Sequence, residues 1–148
     1  MKKIKRKSGD ILEIVLADGS LSYARVLEEP LIDFFDCNSK DVLDVNQIML
    51  KPIVFKLWVA SYAIHSGRWR IIGNVPIESK DNNYQFYRQD PINKKLYIMS
   101  NGVHQPATLD DCINLECAAS WDPEHIEDRL IDYYSGKPNK WVESLRIS

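Results

Sequence analysis

The sequence predicts an α+β fold: a curved, mostly antiparallel β-sheet with one main C-terminal helix and short extra helical turns. Three observations carry this. Residues 10–99 hold short runs of aliphatic, β-branched and aromatic residues punctuated by Gly, Pro, Asn and Asp, the pattern of strands and turns. Asp18-Gly19 and Asn101-Gly102 are hairpin signals, because such turns need positive φ, which Asp and Asn tolerate and Gly prefers. The last third changes period: Ile126, Leu130, Tyr133 and Tyr134 recur at helical spacing between Asp122-Pro123 and Gly136.

Ile11, Leu12, Ile14, Val15 and Leu16 form a first strand. Asp18-Gly19 then makes a two-residue turn. Leu21, Tyr23, Arg25 and Leu27 alternate with Ser22, Ala24 and Val26 on the return strand, which Glu28-Glu29-Pro30 ends. Leu31–Asp36 is a further strand candidate. Residues 38–49 are ambiguous and admit a short helix from Ser39. Pro52–Ala60 is the strongest strand, a near-continuous apolar run of the kind found in central strands covered on both faces. A helical turn over Ser61–His65 closes at Gly67. Trp69–Ile72 is a strand broken by Gly73-Asn74. Ser79–Asn83 is a polar loop. Tyr84, Phe86 and Arg88 alternate with Gln85 and Tyr87 on another strand. Leu96–Met99 follows the turn residues Asn93-Lys94-Lys95 and returns through Val103 and His104. A short turn starts near Thr108. Asp122 suits an N-cap and Pro123 the first helical position, and Gly136 and Pro138 end that helix. A segment around Trp141 and Leu145 packs back on the sheet. No repeat, low-complexity tract or linker interrupts the chain. Residues 9–148 therefore read as one α+β domain behind a basic lead-in, residues 1–8.

A chain of 148 residues is of ordinary size for one domain and can bury a sizeable core without staples. No apolar run approaches the roughly 20 residues that span a bilayer. Met1–Lys7 carries the charge of a signal peptide, but Glu13 interrupts the apolar stretch after it and no small-residue cleavage site follows. The expected location is the cytoplasm. The three cysteines, Cys37, Cys112 and Cys117, are odd in number and sparse, which fits reduced thiols. Net charge is −2, unevenly spread. Lys2, Lys3, Lys5, Arg6 and Lys7 crowd the start, which leaves 14 basic against 21 acidic side chains over residues 8–148. An acidic body repels a phosphate backbone and suits a cationic partner; equally, it keeps a protein in solution.

Chemical motifs are sparse. His65, His104 and His125 are far apart, and Cys112 and Cys117 lack the second close pair that structural zinc needs, so no metal or cofactor is expected. Both cysteines read as small core hydrophobes. There is no G-x-S-x-G elbow, P-loop or G-x-G-x-x-G after a strand. His125 stands beside Glu124 with Arg129 one turn on, which could poise a general base for a small hydrolase; a first-turn histidine is more often a surface residue. The basic start could meet phosphates as part of a regulatory or nucleic-acid accessory protein. No basic face with interleaved aromatics supports it elsewhere, and direct nucleic-acid binding is not expected. Along the last helix Glu124, Glu127, Asp128 and Asp132 share one arc, opposite Ile126, Leu130, Tyr133 and Tyr134. Asp33, Asp36, Asp41 and Asp44 form a second acidic cluster. The stripe reads equally as a solvated face favouring the helix dipole or as a docking surface for a basic partner.

Three segments resemble the immunity protein 26 family of bacterial polymorphic toxin systems. The first is Gly9–Ile14 with Asp18-Gly19 and Tyr23–Leu27. The second is Val54–Val59 with Ser66–Pro76. The third is Trp121–Leu130 with Gly136–Trp141. Their order and spacing run from about residue 8 to 145, while residues 77–110 carry little of the likeness. The resemblance implies a cytoplasmic antidote, not an enzyme, that binds and blocks a cognate toxin. Many toxins of such systems are nucleases, and nucleases tend to be basic. It supplies no interface residues. In its light, Asp33, Asp36, Glu124, Glu127, Asp128 and Asp132 become the expected contacts, with exposed Tyr84 or Tyr87 as aromatic anchors. No membrane contact is expected. Oligomeric state stays open between a monomer and a weak dimer through an exposed edge strand.

Overall fold

The computed structural model describes residues 3–148; Lys2 of the basic lead-in lies outside them. The strands are β1 (Asp10–Val15), β2 (Leu21–Val26), β3 (Leu31–Ser39), β4 (Ile53–Val59), β5 (Arg70–Asn74), β6 (Gln85–Gln89), β7 (Leu96–Ser100), β8 (Val103–Ala107), β9 (Glu116–Cys117) and β10 (Ser120–Trp121). The helices are α1 (Val45–Met49), α2 (Tyr62–His65), α3 (Leu109–Cys112), α4 (Pro123–Tyr134) and α5 (Lys140–Ser144), with a 3-10 turn at Ser79–Asn82. The α+β class stands, but the expected single sheet is two. A six-stranded sheet runs β10-β4-β3-β2-β1-β5 and a four-stranded sheet β8-β7-β6-β9. All pairings are antiparallel except the two-residue strands, β10 on β4 and β9 on β6.

Local chemistry explains most boundaries. The first hairpin has a three-residue loop, not the expected two. Leu16 and Ser20 still bond across it (2.9 Å), and Gly19 takes φ +84° to return the chain. Asn101 (φ +50°) and Gly102 (φ +78°) do make a two-residue turn between the paired Ser100 and Val103. The ambiguous stretch resolves as β3 running on to Ser39, then α1 starting at Asp44, whose capping box with Gln47 outcompetes a start at Ser39. Asp122 takes the N-cap position of α4 without a side-chain cap bond.

Gly73 and Asn74 do not break β5. They pair with Ile11 and Asp10 as its last residues. Gly73 serves packing: a Cβ there would lie 2.7 Å from Val45 Cγ2, so its bareness lets α1 close on the sheet. β4 alternates between buried and half-open positions, because Phe55, Leu57 and Val59 face the main core while Lys56 and Trp58 lie on the other, partly covered face. β2 is the strand buried along its whole length.

The six-stranded sheet is covered on both faces. One face carries Leu12, Ile14, Ala24, Ile32, Phe34 and Leu57 against Trp69, Trp121 and Ile126 and Leu130 of α4. Phe34 meets Trp69 edge-on at 5.7 Å. Trp141, Val142 and Leu145 pack on the same core, as the C-terminal segment was expected to. The other face has Ile11, Tyr23, Phe35 and Ile48 at the α1 end. At the other end Leu27 and Leu31 meet Phe86 of the second sheet. The β2–β3 ladder is irregular between Ser22 and Ala24. There the Tyr134 hydroxyl inserts from α4, accepting from Cys37 N–H (3.2 Å) and lying 2.9 Å from Cys37 O and 3.1 Å from Phe35 O. Among the described residues no helix is long and apolar enough to cross a membrane.

Gly73→Ala is expected to cost about 1–3 kcal/mol in urea unfolding, because β-branched Val45 cannot swing clear. Adding Val45→Ala should recover most of that loss; a double variant no better than the sum of its parts would refute the packing role.

Candidate functional site

Residues of three elements meet around the N-terminal half of α4. β4 ends into α2, which presents Tyr62; the following loop presents Arg68; α4 presents Glu124 and Glu127. Arg68 grips Glu127 with a two-pronged bond, Nε to Oε2 at 2.7 Å and Nη2 to Oε1 at 2.9 Å. The Trp69 indole N–H donates to the same carboxylate (2.9 Å), tying it to a ring that is 1% exposed. Tyr62 donates to Glu124 Oε2 (2.7 Å), and Arg68 Nη1 lies 3.6 Å from Glu124 Oε1. The Tyr62 bond holds the Glu124 carboxyl below its ordinary range, with Arg68 adding to the effect. The same bond pushes the Tyr62 phenol up to about 12. Exposed ion pairs add little stability, so the network chiefly fixes where these carboxylates stand.

Further along α4, Asp128 accepts from the Trp141 indole (3.2 Å) and Asp132 from Asn139 (2.9 Å). Near its C-terminal end exposed Tyr133 donates to Asp36 Oδ2 (2.9 Å). The structure thus brings Glu124, Glu127, Asp128 and Asp132 together on one helix and sets Asp36 beside its far end. It also adds residues that the sequence reading missed. Tyr62 and Tyr133 are 41% and 44% exposed, each bonded to a carboxylate, and they flank the stripe. Tyr62 lay within a recognised helical turn and was discoverable; nothing near Arg68 in sequence announces Glu127.

Other expected contacts are displaced. Asp33 is 2% exposed. It lies in register between Arg25 on β2 and Lys56 on β4, which approach to 3.8 and 3.4 Å. Burial pushes its carboxyl up against the pull of Lys56 and Arg25. Tyr87 is buried, its hydroxyl donating to Leu145 O, so it cannot anchor a partner. Tyr84 is half-buried, with Lys56 over its ring at 5.4 Å. Arg25 and Lys56 also reach the 3-10 turn: Arg25 Nη2 lies 3.4 Å from Asp81 Oδ2, and Lys56 donates to Asp81 O (2.6 Å). Beyond that turn a groove of about 680 Å³ runs between the sheets. Trp58, Tyr84 and Phe86 floor it, and Glu28 and Glu29 stand at its mouth.

His125, Glu124 and Arg129 share no cleft. The imidazole stacks on Trp141 at 3.6 Å, Glu124 turns to Tyr62, and Arg129 binds Glu116 while lying over Phe55 at 4.0 Å. His125 lines none of the three best-formed cavities. Among the described residues no three His, Cys, Asp or Glu side chains gather as metal ligands. Cys112 is fully buried, and desolvation pushes the Cys37, Cys112 and Cys117 thiols up, away from reactive thiolates. Of the basic lead-in, Arg6 is spent on the sheet: its guanidinium donates to Leu27 O (2.9 Å) and Leu31 O (2.8 Å).

This is an α+β protein whose most organised surface is a helix of carboxylates held by tyrosine, tryptophan and arginine donors. The family model for Immunity protein 26 matches residues 7–97, more than half of the chain, and the chain belongs to that family of immunity proteins against toxins. The first two segments that carried the resemblance fall inside the match; the third, Trp121–Trp141, lies beyond it. No curated protein and no solved structure matches. Membership supplies a cognate toxin as partner and points to a non-enzymatic role.

Lys56→Met should leave the Asp33 carboxylate short of its nearest cation, costing about 3–5 kcal/mol at neutral pH. With its pKa raised further, Asp33 in the variant sheds stability as pH rises from the ordinary carboxylate range to its own raised value. The deficit should therefore shrink when unfolding is measured near pH 4; an equal deficit at both pH values would argue against a buried charge.

Proposed function

We propose that this chain is a cytoplasmic antidote that neutralises its cognate toxin by stoichiometric protein–protein binding. The toxin is a basic protein of the nuclease class, and residues 9–148 act as one domain. The antidote contacts neither nucleic acid nor membrane directly. The observation that carries this reading is the set geometry of the α4 carboxylates. Glu124 and Asp128 are exposed yet held by Tyr62 and Trp141, so a cationic partner meets an acidic surface already ordered, with little side-chain entropy left to lose. Asp132 and Asp36 extend the acidic surface along the helix, and Tyr62 and Tyr133 offer aromatic area at either end. Charge complementarity of this kind accelerates encounter with a basic protein and weakens as salt rises. Glu127 supports the surface from below, because Arg68 and Trp69 already occupy its oxygens.

The test is co-expression with the neighbouring reading frames, followed by capture of the tagged antidote. One toxic, basic protein retained one-to-one is the expected result; a chain that emerges alone, or with a small molecule, defeats the proposal. Given that complex, Glu124→Lys with Asp128→Lys should weaken binding by about 2–4 kcal/mol, on the order of 30- to 1,000-fold in Kd, with the melting temperature nearly unchanged. Unaltered protection of toxin-expressing cells by the double variant would move the interface off α4.

A further inference from the structure

We infer that the groove between the two sheets is the seat of an arginine side chain presented by the toxin. The inference rests on the antidote reading above and adds a second point of contact to it. The groove's shape comes from three elements. The β2–β3 connection, Glu28–Pro30, forms one wall, the β7–β8 turn forms the other, and aromatic rings form the floor. Trp58 and Phe86 lie 4.9 Å apart by ring centroid, and Tyr84 and Phe86 5.0 Å apart. Phe86 is buried beneath, while Trp58 and Tyr84 keep part of their surface open. A space of about 680 Å³ is large enough to admit a long side chain with its flanking backbone.

Charge decides which side chain. Glu28 and Glu29 are exposed at the mouth, and neither takes part in an ion pair among the described residues. The Glu28 backbone is nonetheless held, its N–H donating to Asn82 Oδ1 at 2.9 Å. Arg6, whose guanidinium feels the charge of Glu29, is committed to the carbonyls of Leu27 and Leu31. The α4 carboxylates differ in each having a donor already. Two carboxylates without an ion pair, lining the same groove as a half-open indole, disfavour an anion and give a plain apolar side chain no use for the charge. A guanidinium satisfies both features, stacking flat on the ring while its N–H groups reach the carboxylates.

The position also suits one interface. Pro30 O accepts from Val59 N–H (3.0 Å) and Ala60 N–H donates to Trp121 O (2.9 Å), just before the chain turns into Tyr62 and α2. The groove mouth and the Tyr62–Glu124 pair therefore lie at the same end of the six-stranded sheet but on its opposite faces, so a partner touching both would have to straddle that end.

The groove is tested first without toxin, by titrating N-acetyl-arginine amide into the full chain and following the four tryptophan indole signals by NMR, Trp58 being assigned with Trp58→Phe. A saturable shift at Trp58 alone is expected, absent with the neutral citrulline amide and weakened about fivefold in Glu28→Gln with Glu29→Gln. No shift, an equal response to citrulline, or shifts at all four indoles would overturn it. With the toxin in hand, the same double variant should lower affinity about tenfold. A toxin bound with unchanged affinity overturns the groove while leaving the antidote reading intact; failure to find any toxin partner overturns both.

Discussion

Asp33 sits under the six-stranded sheet with a cation from each neighbouring strand, and the layout of that face follows from the arrangement. A carboxylate 2% exposed cannot be left alone. Arg25 and Lys56 reach it in register, yet both cations have capacity to spare. They extend it to the 3-10 turn, where the Asp81 side chain and main-chain carbonyl receive them. Asn82 adds a bond to the Glu28 N–H. The turn is thereby fastened at three points, and the chain leaving it enters β6 and the second sheet. This ladder joins the packing of Leu27 and Leu31 on Phe86, and the Arg129–Glu116 pair, in setting the four-stranded sheet against the six-stranded one. The cost is visible: Asp33 Oδ1 and Arg25 Nε find no hydrogen-bond partner among the described residues. Such buried ion clusters are poor sources of net stability and are better understood as fixing one arrangement over others.

The two acidic surfaces that result are built differently. On α4 the carboxylates are anchored from the side by phenol, indole and guanidinium donors, so their positions are fixed but their charge is partly shared. At the groove Glu28 and Glu29 are unshared, and what is fixed is the aromatic floor below them. An immunity protein must bind before its toxin acts, which rewards fast encounter, and it must not let go, which rewards desolvated anchors. Under the proposed reading, the first surface would serve the encounter and the second the hold. The family match reaches from the lead-in to β7 and so includes the groove floor but not α4.

What could be read from the sequence was local. Turn dipeptides, the Asp122-Pro123 start and the glycine stops are short-range signals, and they placed the hairpins and α4 well. The second sheet was not legible, because β6, β7 and β8 read as further strands of one sheet and β9, which adjoins β6, is two residues long and shows no period. Asp33 and Asp36 looked alike within one strand. They part because Asp33 faces cations on neighbouring strands, while Asp36 stays half-open at the end of α4. Tyr84 and Tyr87 alternate on a single strand, and alternation cannot say which face a second sheet will cover. Gly73 reads locally as a breaker, because its reason, the side chain of Val45, lies far away in sequence.

The Tyr134 hydroxyl plugging the irregular β2–β3 ladder has a consequence for biosynthesis. Strands β1 to β4 leave the ribosome early, but the group that satisfies the Cys37 N–H is carried near the end of α4. Until that residue emerges, the oldest part of the sheet keeps an unfilled donor and an uncovered apolar face, the condition that invites chaperones and premature pairing. Completion of the sheet is thus tied to translation of the acidic helix, so a truncated chain lacking that helix would also lack a finished fold.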